Sequence, residues 1–177
     1  MLVTTSRHPT PPIRRTAREL AALLYNAVRI NRGGLSEAEL YAKAKSIGAK
    51  RVVIIGRGRG GNPGRVVFVD TSGEEPVKLP LILSLRGVIY LGRVPRASSE
   101  TPITWTRSGG ELCEELSIAL DVPCIGKYSS GVHREYGRVV VVEKGGGKIS
   151  YVIKFLEVGR EVGLKLLVER LVWHEWK

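Results

Sequence analysis

The sequence predicts an α/β domain built from two similar halves. Runs of β-branched residues, typical of strands, alternate with segments of helical periodicity along most of the chain. The order helix, strand and hairpin with a glycine-rich turn occurs twice. A chain of 177 residues with 43% hydrophobic content is long enough to bury one sizeable core, which favours a single domain over two separate ones.

The first elements follow from local signals at the N-terminus. Residues 2–5 predict a short strand. Pro11 and Pro12 then indicate a helix start, because the first helical turn has no use for the N–H that proline lacks. Apolar residues recur at helical spacing from Ile13 to Leu24, so one face of this helix is expected in the core.

The rest of the first half ends in a hairpin. Residues 27–30 predict a second strand, and Ser36 with Glu39 forms the pattern of a capping box that opens a helix. Gly48 is placed to end that helix near Ile47. A third strand, a glycine-rich turn and an antiparallel return strand are expected at residues 51–55, 56–64 and 65–69.

The second half repeats this order. The corresponding segments are 104–107 with 4–7, 115–120 (ELSIAL) with 19–24 (ELAALL), 138–142 with 51–55, and a second hairpin made of the turn 145–147 and the strand 149–155. We find no counterpart to the helix at residues 36–47. An internal duplication is therefore expected, with halves at about 1–75 and 85–177.

The C-terminal tail is ambiguous in sequence. From Gly163 onward its apolar residues fit both a helix face and an alternating strand, and periodicity alone leaves the two open. Trp173 and Trp176 are expected to contact the core or a partner and not to stack on bases, because no basic cluster surrounds them.

Positive charge is concentrated at one end of the chain. The net charge is +11, and the first 65 residues contain 13 Arg and Lys against three Glu, whereas the other 112 residues contain 15 basic and 14 acidic residues. Clustered cations gain most where a polyanion releases its condensed counterions, so this distribution points first to nucleic acid.

The candidate RNA contacts form small basic groups. One follows the first strand, one lies on the first helix, one follows the second strand and one surrounds the glycine-rich turn. They are Arg7; Arg14, Arg15 and Arg18; Arg29, Asn31 and Arg32; and Arg57, Arg59 and Arg65. The alternative for the helix is an ordinary solvated face. For the turn, phosphate contact and a solvated hairpin are equally compatible with the sequence.

Several other site classes do not fit the sequence. Gly56, Gly58 and Gly61 match the dinucleotide-binding pattern, but a strand and not a helix follows them. Cys113 and Cys124 lack zinc-site spacing and are interpreted as buried apolar residues in a reducing compartment, not as a disulfide. No catalytic motif is present, so a non-enzyme without metal or cofactor is expected.

Composition and hydropathy also indicate where the protein works. The chain has no apolar N-terminal segment of the signal-peptide type and no apolar run long enough for a membrane span, so a soluble intracellular protein is expected. Glutamine is absent, and Arg, Glu and Val are abundant, as in proteins of thermophilic organisms.

The string VTTSRHPTPPIRRTARELAALLYNAVRINRGG, residues 3–34, resembles the signature of the Brix superfamily of ribosome-biogenesis proteins, especially its Imp-four-like and archaeal members. Asn62-Pro63-Gly64 is similar to a turn of archaeal relatives, and residues 158–160 are similar to the late Gly-Pro-Arg element, although Val158-Gly159-Arg160 lacks its proline. Tyr25 also stands where the family often has proline.

The resemblance implies a Brix domain over residues 1–177, with each half similar to the anticodon-binding domain of class II aminoacyl-tRNA synthetases. It implies a cytoplasmic factor, nucleolar in a eukaryote, that binds ribosomal RNA precursors in the assembling subunit, with other assembly proteins as further partners and no membrane or small-molecule substrate. Two alternatives stay open, a transfer-RNA-binding accessory module and a protein-interaction scaffold.

Overall fold

The structure is a computed structural model that describes residues 1–174. Trp176 lies outside these residues, and Trp173 is the last residue of a strand and half exposed. The first half of the chain contains, in order, β1 (Leu2–Thr5), α1 (Pro11–Leu23), β2 (Val28–Arg29), α2 (Glu37–Ser46), β3 (Arg51–Arg57), β4 (Pro63–Asp70) and β5 (Val77–Tyr90).

The second half contains the same series of elements with a shorter second helix. In order they are β6 (Ile103–Thr106), α3 (Gly110–Leu120), β7 (Cys124–Lys127), α4 (Val132–Glu135), β8 (Arg138–Lys144), β9 (Tyr151–Glu157) and β10 (Arg160–Trp173). Four helical residues, α4, therefore stand where we expected no counterpart to α2. The tail that was ambiguous in sequence is strand β10.

All ten strands form one sheet in the order β2-β1-β3-β4-β5-β10-β9-β8-β6-β7. Within each half the first three strands in space are parallel, and the two hairpin strands that follow are antiparallel. The two halves meet where β5 pairs antiparallel with β10. Consequently every strand of one half runs opposite to its counterpart in the other half.

Local sequence explains the helix ends. Pro11 and Pro12 begin α1 as predicted. The expected capping box opens α2, where the Glu39 amide donates to Ser36 Oγ at 3.2 Å and the Ser36 amide donates to the Glu39 carboxylate at 2.8 Å. Gly48, with φ +69°, allows the chain to turn out of the helix as predicted.

The main core lies on one face of the sheet and is shared by both halves. Leu20 of α1 and Leu116 of α3 pack in the same cluster as Phe68 and Phe155 from strands of the two halves. Leu23 of α1 reaches β10 at Gly163, where φ is +70° and a Cβ would lie 2.7 Å from a methyl group of Leu23, so the position favours glycine.

The opposite face of the sheet carries two smaller clusters. Leu40 and Ala44 of α2 cover Val52 and Ile54 of β3, and a separate cluster packs beside α4 on β8 and β9. Since alternate residues of a strand face opposite sides, Val53 and Ile55 turn to the shared core while Val52 and Ile54 turn to α2. No helix among residues 1–174 is long and apolar enough to cross a membrane.

The two cysteines form a disulfide, so the expectation of two reduced apolar residues is wrong. Asp121 adopts a left-handed conformation, with φ 55°, at the end of α3, and this turn brings β7 back beside the helix. The Cα atoms of Cys113 and Cys124 are therefore only 5.8 Å apart. Sequence spacing could not show this reversal of the chain.

Arg138 ties the segment between the halves to α1. Its guanidinium is buried, donates to the carbonyls of Ala22 and Pro95 at 3.1 Å each, and pairs with Glu157 at 2.7 Å. The equivalent pair in the first half joins Arg51 of β3 to Asp70 of β4 at 2.8 Å. Arg51 also contacts the second half, because it donates to the Ile118 carbonyl of α3 at 3.3 Å. Of the two pairs, only that of Arg138 contacts the linker, through the Pro95 carbonyl.

Removing the disulfide is expected to destabilise the protein. The double variant Cys113→Ala, Cys124→Ala should lose about 3 kcal/mol of unfolding free energy, because the cross-link no longer restricts the unfolded chain. Denaturant unfolding of wild type and variant, each with and without reductant, measures this. Two titratable thiols in unreduced wild type, or equal stability of all four samples, would contradict the assignment.

Truncating Arg138 should be more costly than truncating Arg51. We expect Arg138→Ala to lose about 3–5 kcal/mol of unfolding free energy, because buried carbonyls and a carboxylate lose a charged partner. Arg51→Ala is the matched control, since its side chain is more exposed, at 12% against 4%. Equal losses in the two variants would argue against a special role for the linker contact.

Candidate nucleic-acid interface

The basic residues of the first half gather where its parallel strands end. Because β1, β2 and β3 are parallel, their carboxyl ends lie at one edge of the sheet, which we call the first edge. Arg7 follows β1, Arg29 ends β2 and Arg57 ends β3. Helix α1 also begins here and adds Arg14. Residues that are distant in sequence thus meet at one edge.

The loop after β1 and the glycine-rich turn are in direct contact. Arg57 donates from its guanidinium to the His8 carbonyl at 2.9 Å, and the Thr10 hydroxyl donates to the Gly61 carbonyl. These bonds place Arg59, at the tip of the turn, next to the start of α1. Arg7, Arg14 and Arg59 are exposed.

The glycines of this turn allow its two backbone strands to approach each other closely. A Cβ on Gly58 would lie 2.6 Å from the Gly64 Cα, so the two backbones cross closely. The Gly58 amide donates to the Asn62 carbonyl at 2.7 Å and is therefore not available to a phosphate. As expected, β4 and not a helix follows the turn, so no dinucleotide site of the Rossmann type forms here.

Arg15 is held by an aromatic ring that the sequence analysis did not single out. Its guanidinium carbon lies 3.9 Å from the centre of the Tyr90 ring, a cation–π contact. The Tyr90 hydroxyl lies 2.7 Å from the Thr16 hydroxyl and donates to the Pro12 carbonyl at 3.1 Å. Tyr90 comes from the end of β5, so only long-range strand pairing brings it to α1.

A hollow of about 260 Å³ adjoins this contact. It is lined by Tyr90 and Pro12, by Asn62 of the turn and by Arg86 of β5. Arg86 is paired with Glu169 of β10 at 3.2 Å. The hollow therefore presents the paired guanidinium of Arg86, beside the ring that holds Arg15.

Two other arginines have structural partners. Arg18 pairs at 3.2 Å with Glu19, whose side chain is 6% exposed and depends on that counter-ion. Arg32 was expected at the surface, but it is only 7% exposed and donates to the Leu35 carbonyl at 3.3 Å. The pKa of Glu37 is lowered mainly by its hydrogen bond with Lys78, and in smaller part by Arg32.

Arg65 lies on the other side of the sheet from α1. Its neighbour Val66 packs in the shared core, so Arg65 projects from the face that carries α2. Arg29 is partly buried and donates to the Asn31 side chain at 2.5 Å, close to the first edge. The four basic groups thus do not form one continuous face.

The exposed arginines of the first edge have little acidic compensation. Among residues 1–174, Arg7, Arg14, Arg57 and Arg59 form no ion pair with a carboxylate. The pKa of Glu39 is lowered first by the hydrogen bond that it accepts from the Ser36 amide and more weakly by the charge of Arg7. This arrangement favours an anionic ligand.

Tyr90→Phe should isolate the contribution of the hydroxyl that anchors this ring. The variant keeps an aromatic face under Arg15 but removes the bond to Pro12, so we expect a loss of about 1 kcal/mol of unfolding free energy. Denaturant unfolding measures it, with Tyr25→Phe as the control, because Tyr25 is 41% exposed. An unchanged Tyr90→Phe would show that the hydroxyl is not needed.

Comparison with known proteins agrees with this fold. No family model matches the chain. A probable Brix domain-containing ribosomal biogenesis protein of Aeropyrum pernix is 41% identical over 73 residues, which is 41% of this chain and 40% of that protein. The matched stretch thus spans less than half of either chain.

Solved structures cover nearly the whole chain. The crystal structure of a probable ribosomal biogenesis protein from Aeropyrum pernix K1 matches 98% of this chain and 95% of its own, with 28% identity and a TM-score of 0.79. Mil, an archaeal Imp4-like protein, shares the fold over 98% of this chain and all of its own, with 19% identity and a TM-score of 0.71. The resemblance to the Brix superfamily is thus confirmed, because the chain is similar in sequence to a probable Brix domain-containing ribosomal biogenesis protein and in fold to archaeal ribosomal biogenesis proteins.

Proposed function

We propose that this protein is a non-catalytic ribosome-assembly factor that binds precursor ribosomal RNA through its first edge. The observation that carries the proposal is the grouping of Arg7, Arg14, Arg57 and Arg59 around one loop and one turn without ion pairs among the described residues. The ribosomal biogenesis proteins of Aeropyrum pernix identify the process in which such a surface would act.

The kind of recognition follows from the side chains available. Guanidiniums on a loop, a helix start and a turn suit phosphate oxygens, which fix position without reading sequence. Tyr90 is already covered by Arg15, so the first edge offers little aromatic surface for base stacking. Binding should therefore depend on RNA shape and on phosphate spacing.

We also propose that the domain arose by duplication, with each half similar to the anticodon-binding domain of class II aminoacyl-tRNA synthetases. Matching contacts support the duplication. Thr4 donates to the Ile30 carbonyl at 3.0 Å, and Thr104, in the same register, donates to the Gly126 carbonyl at 2.8 Å. The pairs Arg51–Asp70 and Arg138–Glu157 also correspond.

In this role the protein acts by binding energy alone, in the cytoplasm, on the assembling subunit and beside other assembly proteins. The competing function is a transfer-RNA-binding accessory module, which the similarity to an anticodon-binding domain would favour. Competition between ribosomal and transfer RNA for the same protein separates these functions. A scaffold for an acidic protein is the third possibility, and it predicts partners that resist ribonuclease.

The test is RNA affinity across a salt series. The variant Arg7→Ala, Arg14→Ala, Arg59→Ala removes exposed charges and spares Arg15 and Arg18, whose partners contribute to folding. We measure the slope of log affinity against log salt concentration for precursor ribosomal RNA fragments. The slope of the variant should be shallower than that of wild type by about 2–3, or about one for each lost phosphate contact.

The matched control removes the same charge elsewhere. Lys45 and Lys50 lie before the start of β3, and Arg134 lies before the start of β8, so they are at the opposite ends of these strands from Arg57 and Lys144. All three are exposed, and their triple alanine variant should keep the wild-type slope. Equal slopes for both triple variants, or wild-type affinity that is independent of salt, would contradict RNA binding at the first edge. A preference for transfer RNA would favour the accessory module.

A further inference from the structure

We propose that the second half carries its own phosphate-binding surface for RNA, at the edge where β6, β7 and β8 end. This second edge is formed by Arg107, Lys127, Lys144 and Lys148. The inference rests on the proposed RNA-binding function and extends it from one contact surface to two. The sequence analysis found no arginine cluster in this half, because three of the four cations are lysines that are far apart in sequence.

Strand register gives Arg107 and Lys144 the same positions in the second half that two arginines of the first edge hold in the first half. Thr4 pairs with Ile54 in the first half, and Thr104 pairs with Val141 in the second. Counting onward from these pairs, Arg107 takes the place of Arg7 and Lys144 takes the place of Arg57. The Lys144 amide donates to the Arg107 carbonyl at 3.2 Å, so the two strand ends lie side by side.

The other two cations lie next to this pair. Lys127 ends β7, and its register partner on β6 is Trp105, two residues before Arg107. Lys148 lies in the turn between β8 and β9, where the Gly145 amide donates to the Ser150 carbonyl at 2.9 Å. All four side chains are exposed. Neighbouring strands are about 4.8 Å apart, which suits successive phosphate contacts along the edge.

These cations are not neutralised by nearby carboxylates. Among residues 1–174 none of the four forms an ion pair, and Glu143, the acidic residue closest in sequence to Lys144, is bound by Lys154 at 3.0 Å. Helix α3 differs from α1, because it presents Glu111 and Glu114 where α1 has arginines. RNA is therefore expected to follow the strand ends and the turn and to avoid α3.

The two edges point in opposite directions. Because β5 and β10 are antiparallel, β6 and β8 run opposite to β1 and β3, and their carboxyl ends lie at the other end of the sheet. Seven strand spacings separate β1 from β6, or roughly 34 Å at about 4.8 Å for each spacing. One RNA segment can occupy each edge, so the protein can hold two segments at once.

Stoichiometry tests this proposal. The probe is a labelled single-stranded RNA oligonucleotide shorter than the distance between the edges, titrated into the protein and counted by native mass spectrometry. We expect wild type to bind two molecules. The variant Arg107→Ala, Lys127→Ala, Lys144→Ala, Lys148→Ala should bind one, and so should the variant of Arg7, Arg14 and Arg59.

A second readout detects bridging. Donor-labelled and acceptor-labelled oligonucleotides mixed with wild type should give energy transfer that either edge variant abolishes. The triple alanine variant of Lys45, Lys50 and Arg134 should keep both the stoichiometry and the transfer. Circular dichroism and the melting temperature check that each variant is folded. We expect all of them to fold, because the substituted side chains are exposed.

Each outcome distinguishes the two proposals. One bound oligonucleotide in wild type, lost only in the first-edge variant, would overturn the second surface and leave RNA binding intact. No binding by wild type would overturn the proposed function. Binding of polyglutamate but not RNA at the second edge would overturn the inference in favour of an acidic protein partner.

Discussion

The antiparallel pairing of β5 with β10 determines how the rest of the molecule is arranged. It turns two smaller sheets into one and reverses the second half relative to the first. With this reversal α1 and α3 lie on the same face of the sheet, and both contribute to one core. Without this strand pair, each half would expose a hairpin strand edge and the apolar surface that the other half now covers.

The shared core makes the halves depend on each other. Leu23 of α1 packs at Gly163 of β10, and Arg138 of β8 holds the Ala22 carbonyl near the end of the same helix. The linker is also tied down, because the Ala97 amide donates to the Ala22 carbonyl at 2.9 Å. We therefore expect the halves to unfold together, as one cooperative unit.

Local signals in the sequence predicted the elements that depend on neighbouring residues. The prolines that begin α1, the capping box of Ser36 and Glu39, and both glycine-turn hairpins are all present. The ambiguity of the tail was resolved by pairing, because β10 has β5 and β9 as partners that no local pattern reveals. The disulfide and strand β5 were not predicted for the same reason, since both depend on contacts between distant segments.

The candidate site was predictable in composition but not in arrangement. Charge counting identified Arg7, Arg14, Arg57 and Arg59, but only the bonds of Arg57 and Thr10 show that the loop and the turn adjoin. Arg32 was a candidate by charge, but it is buried, because its side chain donates to the Leu35 carbonyl in the loop that leads to α2. Tyr90 carried no sequence signal, since an aromatic residue at the end of a strand is ordinary in itself.

The ion pair between Arg86 and Glu169 also bears on self-association. The two residues occupy the same place along β5 and β10, and they face each other where the halves meet. If two first halves paired through β5, arginine would face arginine, and two second halves would place glutamate against glutamate. Like charges opposed in this way are unfavourable. Pairing of the two different halves thus brings opposite charges together, whereas pairing of two identical halves brings like charges together. This difference disfavours strand exchange between neighbouring copies of the chain.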